Sequence, residues 1–246
     1  MTELLIYAVI AFLIAGTIKG AVGIGLPTAA IGILSQFTDP RTAITLVVFP
    51  ILATNTWQML TSGKTLATVK KYKFLLISLV GVLGATTFAL PYVPTDILVL
   101  ALGLVVVLFA LTSLISIPPF LPDRFDRFGQ AASGIAAGLI GGLTSIWGPP
   151  MVIYLLARRT EKDEFVRALG VLLFLGGVPL ALGFWANGLL TGPTALASAS
   201  MIIPSLIGFT LGGQLRKRLD ADKFRTAVLL VFLLMGLNLL RRSIFS

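Results

Sequence analysis

The segment from Ile97 to Ile117 carries no charged residue, and apolar stretches of about 17 to 21 residues recur along the chain. At about 1.5 Å per helical residue, each is long enough to cross a hydrocarbon core of about 30 Å. Strands of a membrane barrel would run to about 10 residues and alternate in polarity, so these stretches specify helices. Composition agrees: the chain is 57% apolar and 12% charged, with a mean hydropathy of +0.99, against about 25% charged residues in a soluble domain. The fold class is therefore all-α integral membrane.

Ordinary spans are expected at about 42–62, 74–91, 96–117, 165–185, 193–213 and 223–240. Two further apolar segments, 3–37 and 129–157, are interrupted by glycines and prolines. The first break runs from Gly16 through Lys19, Gly20, Gly23 and Gly25 to Pro27. The second runs from Gly138 through Gly142, Thr144, Ser145, Trp147 and Gly148 to Pro150. Residues 117–128, rich in proline and charge, cannot continue a membrane helix and divide the chain into 1–122 and 123–246. The halves align: at an offset of 122, Gly16, Ile18, Gly20, Ile24, Pro27 and Ile31 match Gly138, Ile140, Gly142, Ile146, Pro149 and Ile153. Later matches sit at 126 and 127 (Asp96 with Asp222, Ser78 with Ser205), which implies an insertion near Glu161 to Glu164. Each half is then a hairpin plus three spans, and the two halves form one membrane domain.

The net charge of +9 is topological, because the basic residues sit in short loops between spans; nucleic acid is not an expected partner. If each broken segment crossed once, nine basic residues would face the wrong side. If each is a hairpin that enters and leaves on one side, 15 basic residues, among them Lys70, Arg159 and Lys217, become cytoplasmic. Only Arg41, Arg241 and Arg242 are then outside, with Lys19 in the membrane. The halves would insert with opposite orientation, as an inverted repeat with both termini outside. Met1-Thr2-Glu3 lacks the basic stretch of a cleaved signal and reads as the start of the first arm.

Broken helices in corresponding places of two halves point to a transport site between them near the midplane. Glycines let the backbone leave the helix, and Pro27 and Pro149 suit the first turn of a new one. Half-helix N-termini carry unpaired N–H groups and a positive dipole end, which attract anions. The candidate site comprises Lys19, Gly20, Gly23, Gly25, Asn55, Gly142, Thr144, Ser145, Trp147 and Gly148. Lys19 is the one clear cation at membrane depth, Thr144 and Ser145 offer hydroxyls, and Asn55 lies in the most polar patch of any ordinary span, with Thr54, Thr56 and Gln58. Against these stand bland readings. Gly-x-x-x-Gly spacing also serves helix packing, a lysine can snorkel, and serine and threonine can bond their own helix. Pro50, Pro179 and Pro204 read as kinks, and Trp57 and Trp185 as belt or packing residues.

The chain has no Cys and no His, and no Asp or Glu lies mid-span, so no metal site, cofactor or catalytic constellation is expected and the chain does not read as an enzyme. A coupling ion, H⁺ or Na⁺, is left open. The second break, Gly-Leu-Ile-Gly-Gly-Leu-Thr-Ser-Ile-Trp-Gly-Pro-Pro, with a glycine-rich break early in each half of about 250 duplicated residues, resembles the TauE/SafE (TSUP) sulfite exporter family. The resemblance implies a secondary transporter in the bacterial inner membrane, working by alternating access. Its substrate would be a sulfur oxyanion such as sulfite, thiosulfate or sulfoacetate, and its direction export. A passive anion channel, or a non-transporting membrane subunit, are the alternatives.

Overall fold

The computed structural model describes residues 2–115, 119–215 and 221–245, and no strand occurs among them. Thirteen α-helices follow one another: α1 Thr2–Val22, α2 Leu26–Leu34, α3 Pro40–Leu46, α4 Val48–Ser62, α5 Thr65–Lys71, α6 Lys73–Thr87, α7 Thr95–Ile115, α8 Asp126–Thr144, α9 Gly148–Ala157, α10 Lys162–Ala186, α11 Gly192–Ser200, α12 Ile202–Leu215 and α13 Ala221–Phe245. Seven stretches among the described residues are long and apolar enough to cross a membrane: Leu5–Val22, Pro40–Ser62, Lys73–Tyr92, Thr95–Leu114, Lys162–Ala186, Gly192–Leu215 and Lys223–Ser243. Every expected span has its helix, and each broken segment is a pair of arms, α1 with α2 and α8 with α9, that pack on each other. Arg216, Lys217 and Arg218, counted above as cytoplasmic, and residues 116–118 of the linker lie outside the described residues.

Two spans are split by local chemistry. Between α3 and α4 the helix lapses at Val47, three residues before Pro50, and Ser198 fills the gap: its hydroxyl donates to Leu46 O (2.9 Å) and accepts from Phe49 N (3.2 Å). The break at Met201 likewise precedes Pro204 by three residues, whereas Pro179 sits inside an uninterrupted α10. Asp39 caps α3 through Thr42 N, and Thr191 and Thr194 form a capping box on α11. The insertion expected near Glu161 to Glu164 lies elsewhere. α3 and α10 begin 122 positions apart, at Pro40 and Lys162, while α5 and α11 begin 127 apart. The extra length therefore falls at the end of α10 and in the loop 187–191.

The helices gather into two compact units, each drawing on both halves of the chain. The first comprises residues 1–50, 93–115 and 189–246. Its centre is the pair α1 and α12, where Gly16 and Gly20 face the carbonyls of Ser205 and Phe209, and Gly208 and Gly212 face those of Leu13 and Thr17. A Cβ at any of the four would stand 2.0–2.2 Å from a carbonyl oxygen, so only glycine permits this backbone approach. The second unit comprises residues 51–92 and 116–188. There Gly134, Gly138 and Gly142 of α8 lie against α6, and Thr86 Oγ1 of α6 donates to Gly138 O (2.8 Å).

One end of the second unit is closed by polar side chains. Tyr72 Oη donates to Glu164 Oε1 (2.5 Å), which also pairs with Lys71, and Tyr154 Oη donates to Asp126 Oδ1 (2.6 Å). Asp126 further accepts from Arg158 Nε (3.0 Å) and Gln130 Nε2 (2.8 Å), and Gln130 Oε1 accepts from Leu75 N in the first turn of α6. Burial, with Glu164 beside it, pushes the Tyr72 hydroxyl well above its usual range, so that it remains a donor. This network fixes the ends of α6, α8, α9 and α10 relative to one another.

Candidate functional site at the helix breaks

Each break is three residues long, 23–25 and 145–147, and the two occupy equivalent places in the halves. In the first, α1 ends with Gly23 N donating to Lys19 O (2.7 Å); in the second, α8 ends with Ser145 N donating to Gly141 O (2.8 Å). Gly23 and Ser145, 122 positions apart, both take the left-handed conformation, with φ of 92° and 57°. The new helices α2 and α9 start at Leu26 and Gly148, and each carries a proline at its second position, Pro27 or Pro149, where no N–H is needed. Gly25, the N-cap of α2, also has a positive φ, 101°. Both short helices thus present first-turn N–H groups without intrahelical partners, at the positive end of the helix dipole.

In the first unit, Lys19 lies in the last turn of α1 and is only 2% exposed, which removes the snorkelling reading. Gly20, one residue on, is turned to Phe209 of α12 and serves the helix contact. Gly23 is different: a Cβ there would meet nothing within 4 Å, so open space adjoins the break and glycine is required by its φ alone.

In the second unit, Gly142 likewise faces α6, at Thr86. Thr144 is committed to its own backbone, its hydroxyl donating to Ile140 O (2.7 Å) and accepting from Ile146 N (3.2 Å), so it shapes the break. Ser145 and Trp147 are buried at 0% and 1% exposure, and neither Ser145 Oγ nor Trp147 Nε1 has a hydrogen-bond partner among the described residues. Two donors buried without partners beside a helix N-terminus stand out, since buried polar groups are nearly always satisfied. The Trp147 indole packs against Gly176 of α10, where a Cβ would fall 2.7 Å from Nε1. Gly148 has room for a Cβ, which would meet nothing closer than Leu173 Cδ2 at 4.0 Å. Asn55 is buried in α4; of its polar neighbours, Thr56 bonds Leu52 O within the helix, and Gln58 Nε2 reaches Val166 O of α10 (3.0 Å).

Sequence reasoning missed two features. Ser205 of α12, fully buried and without a hydroxyl partner, lies where Gly16 meets that helix. Gly176, which makes room for the indole, is one of several glycines in α10, and nothing in its spacing singles it out. A cavity of about 600 Å³ in the first unit, lined by Gln36, Asp39, Thr95, Asp96 and Arg242 among others, includes no residue of the breaks. No group of acidic residues among the described ones could hold a metal ion.

The family described as Sulfite exporter TauE/SafE matches residues 8–239, nearly the whole chain, and the chain belongs to that family. No curated protein and no solved structure matched it. With seven stretches among the described residues long and apolar enough to cross a bilayer, it is a multi-pass membrane protein of a transporter family.

Proposed function

With that membership as premise, we propose that the protein is a secondary transporter for a small sulfur oxyanion such as sulfite, thiosulfate or sulfoacetate, exporting it across the bacterial inner membrane by alternating access. The observation that carries this reading is the pair of buried donors without partners, Ser145 Oγ and Trp147 Nε1, at the N-terminus of α9. An oxyanion accepts hydrogen bonds only, so hydroxyl, indole and backbone N–H groups suit it. The first break, in the first unit, offers its own set: the N-terminus of α2, the open space beside Gly23, and Lys19 within one turn. Asn55 completes the polar inventory. Gly20, Gly142 and Thr144 hold the breaks in shape around these groups.

The two halves, 1–122 and 123–246, are read as inverted repeats with both termini outside. The equivalent breaks, matched in the closing hydrogen bond of the first arm, the left-handed residue and the proline, support duplication. The distribution of basic residues supports the inversion. A coupling ion, H⁺ or Na⁺, has no side-chain carboxylate mid-span to use and would act through the substrate or through backbone carbonyls.

The test is counterflow in proteoliposomes across sulfite, thiosulfate, sulfoacetate, sulfate and simple carboxylates. A carrier gives saturable exchange of at least one sulfur oxyanion; linear flux without counterflow would mean a channel, and no flux a non-transporting subunit. Gly148→Leu, at a position where a Cβ meets nothing closer than 4.0 Å, should abolish exchange in protein that still inserts and purifies. Normal exchange in that variant would place the substrate elsewhere.

A further inference from the structure

The paired helices α6 and α8 carry a feature that anion transport does not use. Along α6, Lys73, Ile77 and Val80 lie on the exposed side, with Ile77 70% exposed; along α8, Phe128, Ile135 and Leu139 do the same, with Phe128 73% exposed. These are the residues a membrane protein turns to acyl chains. At the same end of both stripes two cations converge on one ring: Lys73 Nζ lies 5.1 Å and Arg127 Cζ 5.5 Å from the centre of Phe74. Lys73 opens a candidate membrane span, and Arg127 stands in the first turn of α8, the helix packed against it, so both lie at the end of that span.

Neither cation forms an ion pair among the described residues. The acidic residue beside Arg127, Asp126, is already shared by Tyr154, Arg158 and Gln130, and Glu164 is taken by Tyr72 and Lys71. Two like charges from two helices are thus gathered at one ring with no protein anion between them. Such an arrangement is relieved by an external anion, and its position selects one attached to acyl chains.

We propose that the ends of α6 and α8 bind the phosphate headgroup of an anionic phospholipid between Lys73 and Arg127, with its acyl chains along Ile77 of α6 and Phe128 and Ile135 of α8. The site is independent of the substrate breaks.

The experiment uses the purified full chain, with melting temperature and native mass spectrometry read against added phosphatidylglycerol, phosphatidylcholine or glycerol 3-phosphate. Phosphatidylglycerol should stabilise the protein and stay bound, while the other two should do neither. Lys73→Gln and Arg127→Gln should each weaken phosphatidylglycerol binding about fivefold, corresponding to about 1 kcal/mol per basic residue, and together abolish most of the melting shift. Lys64→Gln with Lys162→Gln removes the same charge elsewhere on the predicted cytoplasmic side and should leave the shift in place. If the first pair behaves like wild type or no worse than the second, the proposal is wrong. It is equally wrong if glycerol 3-phosphate alone reproduces the shift, which would make this a site for small phosphates. Should the double variant fail to fold, the single substitutions carry the same comparison.

Discussion

Ser145 couples two opposing effects, and Ser145→Gly separates them. The residue holds φ at 57°, a conformation that costs a residue with a Cβ about 1–2 kcal/mol. Its hydroxyl is fully buried without a partner, which costs about 1–3 kcal/mol more. Glycine removes both penalties and gives back about 0.4–1 kcal/mol through the greater freedom of the unfolded chain. Ser145→Gly should therefore raise the melting temperature of the purified, substrate-free protein. If the hydroxyl donates to the transported anion, the same substitution removes a hydrogen bond to a charged group, worth about 1.5–3 kcal/mol, and should raise Kd about 12- to 160-fold. Ser145→Ala, which keeps the backbone penalty, should show the affinity loss with a smaller gain in stability. Titration with the anion that exchanges in proteoliposomes, beside thermal melting of the same preparations, measures both. A more stable Ser145→Gly protein with unchanged Kd would refute the donor role, and a less stable one would refute the strain argument.

Three further outcomes are expected. Gly20→Ala puts a methyl 2.1 Å from Phe209 O and should destabilise the α1–α12 contact by about 1–3 kcal/mol, while Gly213→Ala, with nothing within 4 Å, should be near neutral; equal melting temperatures would show that α1 and α12 do not pack so closely. Lys19→Met should weaken anion binding about 5- to 150-fold if the ammonium acts on substrate, and an unchanged Kd would remove it from the site. Arg159→Cys, at an exposed position in a chain without native cysteine, should react with impermeant thiol reagents only from the cytoplasmic side, and labelling from outside would overturn the inverted-repeat orientation.

The spans and broken segments were legible in the sequence because lipid is an exacting solvent: a backbone that must satisfy itself leaves apolar runs of fixed length, and glycine with proline marks where it stops. The splits at Val47 and Met201 were half legible. Pro50 and Pro204 marked kinks, but so did Pro179, where α10 continues; what differs at Val47 is Ser198, about 150 residues away, bonding into the gap. The helix α5 was hidden among Lys64, Lys70 and Lys71, residues that also mark a loop.

Glycines divided along the same line. Local sequence reveals that Gly16, Gly20, Gly138 and Gly142 are spaced for close approach, but what they approach is decided by α12 and α6, distant in the chain. Gly23 was within reach, since the offset of 122 sets it opposite Ser145. That pairing holds further information. Where the first half uses glycine for a left-handed residue, the second uses serine and bears the strain. A residue that disfavours its own conformation, and whose hydroxyl finds no protein partner, has its most economical explanation in a ligand that takes the hydroxyl. We propose on this ground that the departure from the repeat at this position marks the substrate contact, which the titrations of Ser145→Gly and Ser145→Ala test.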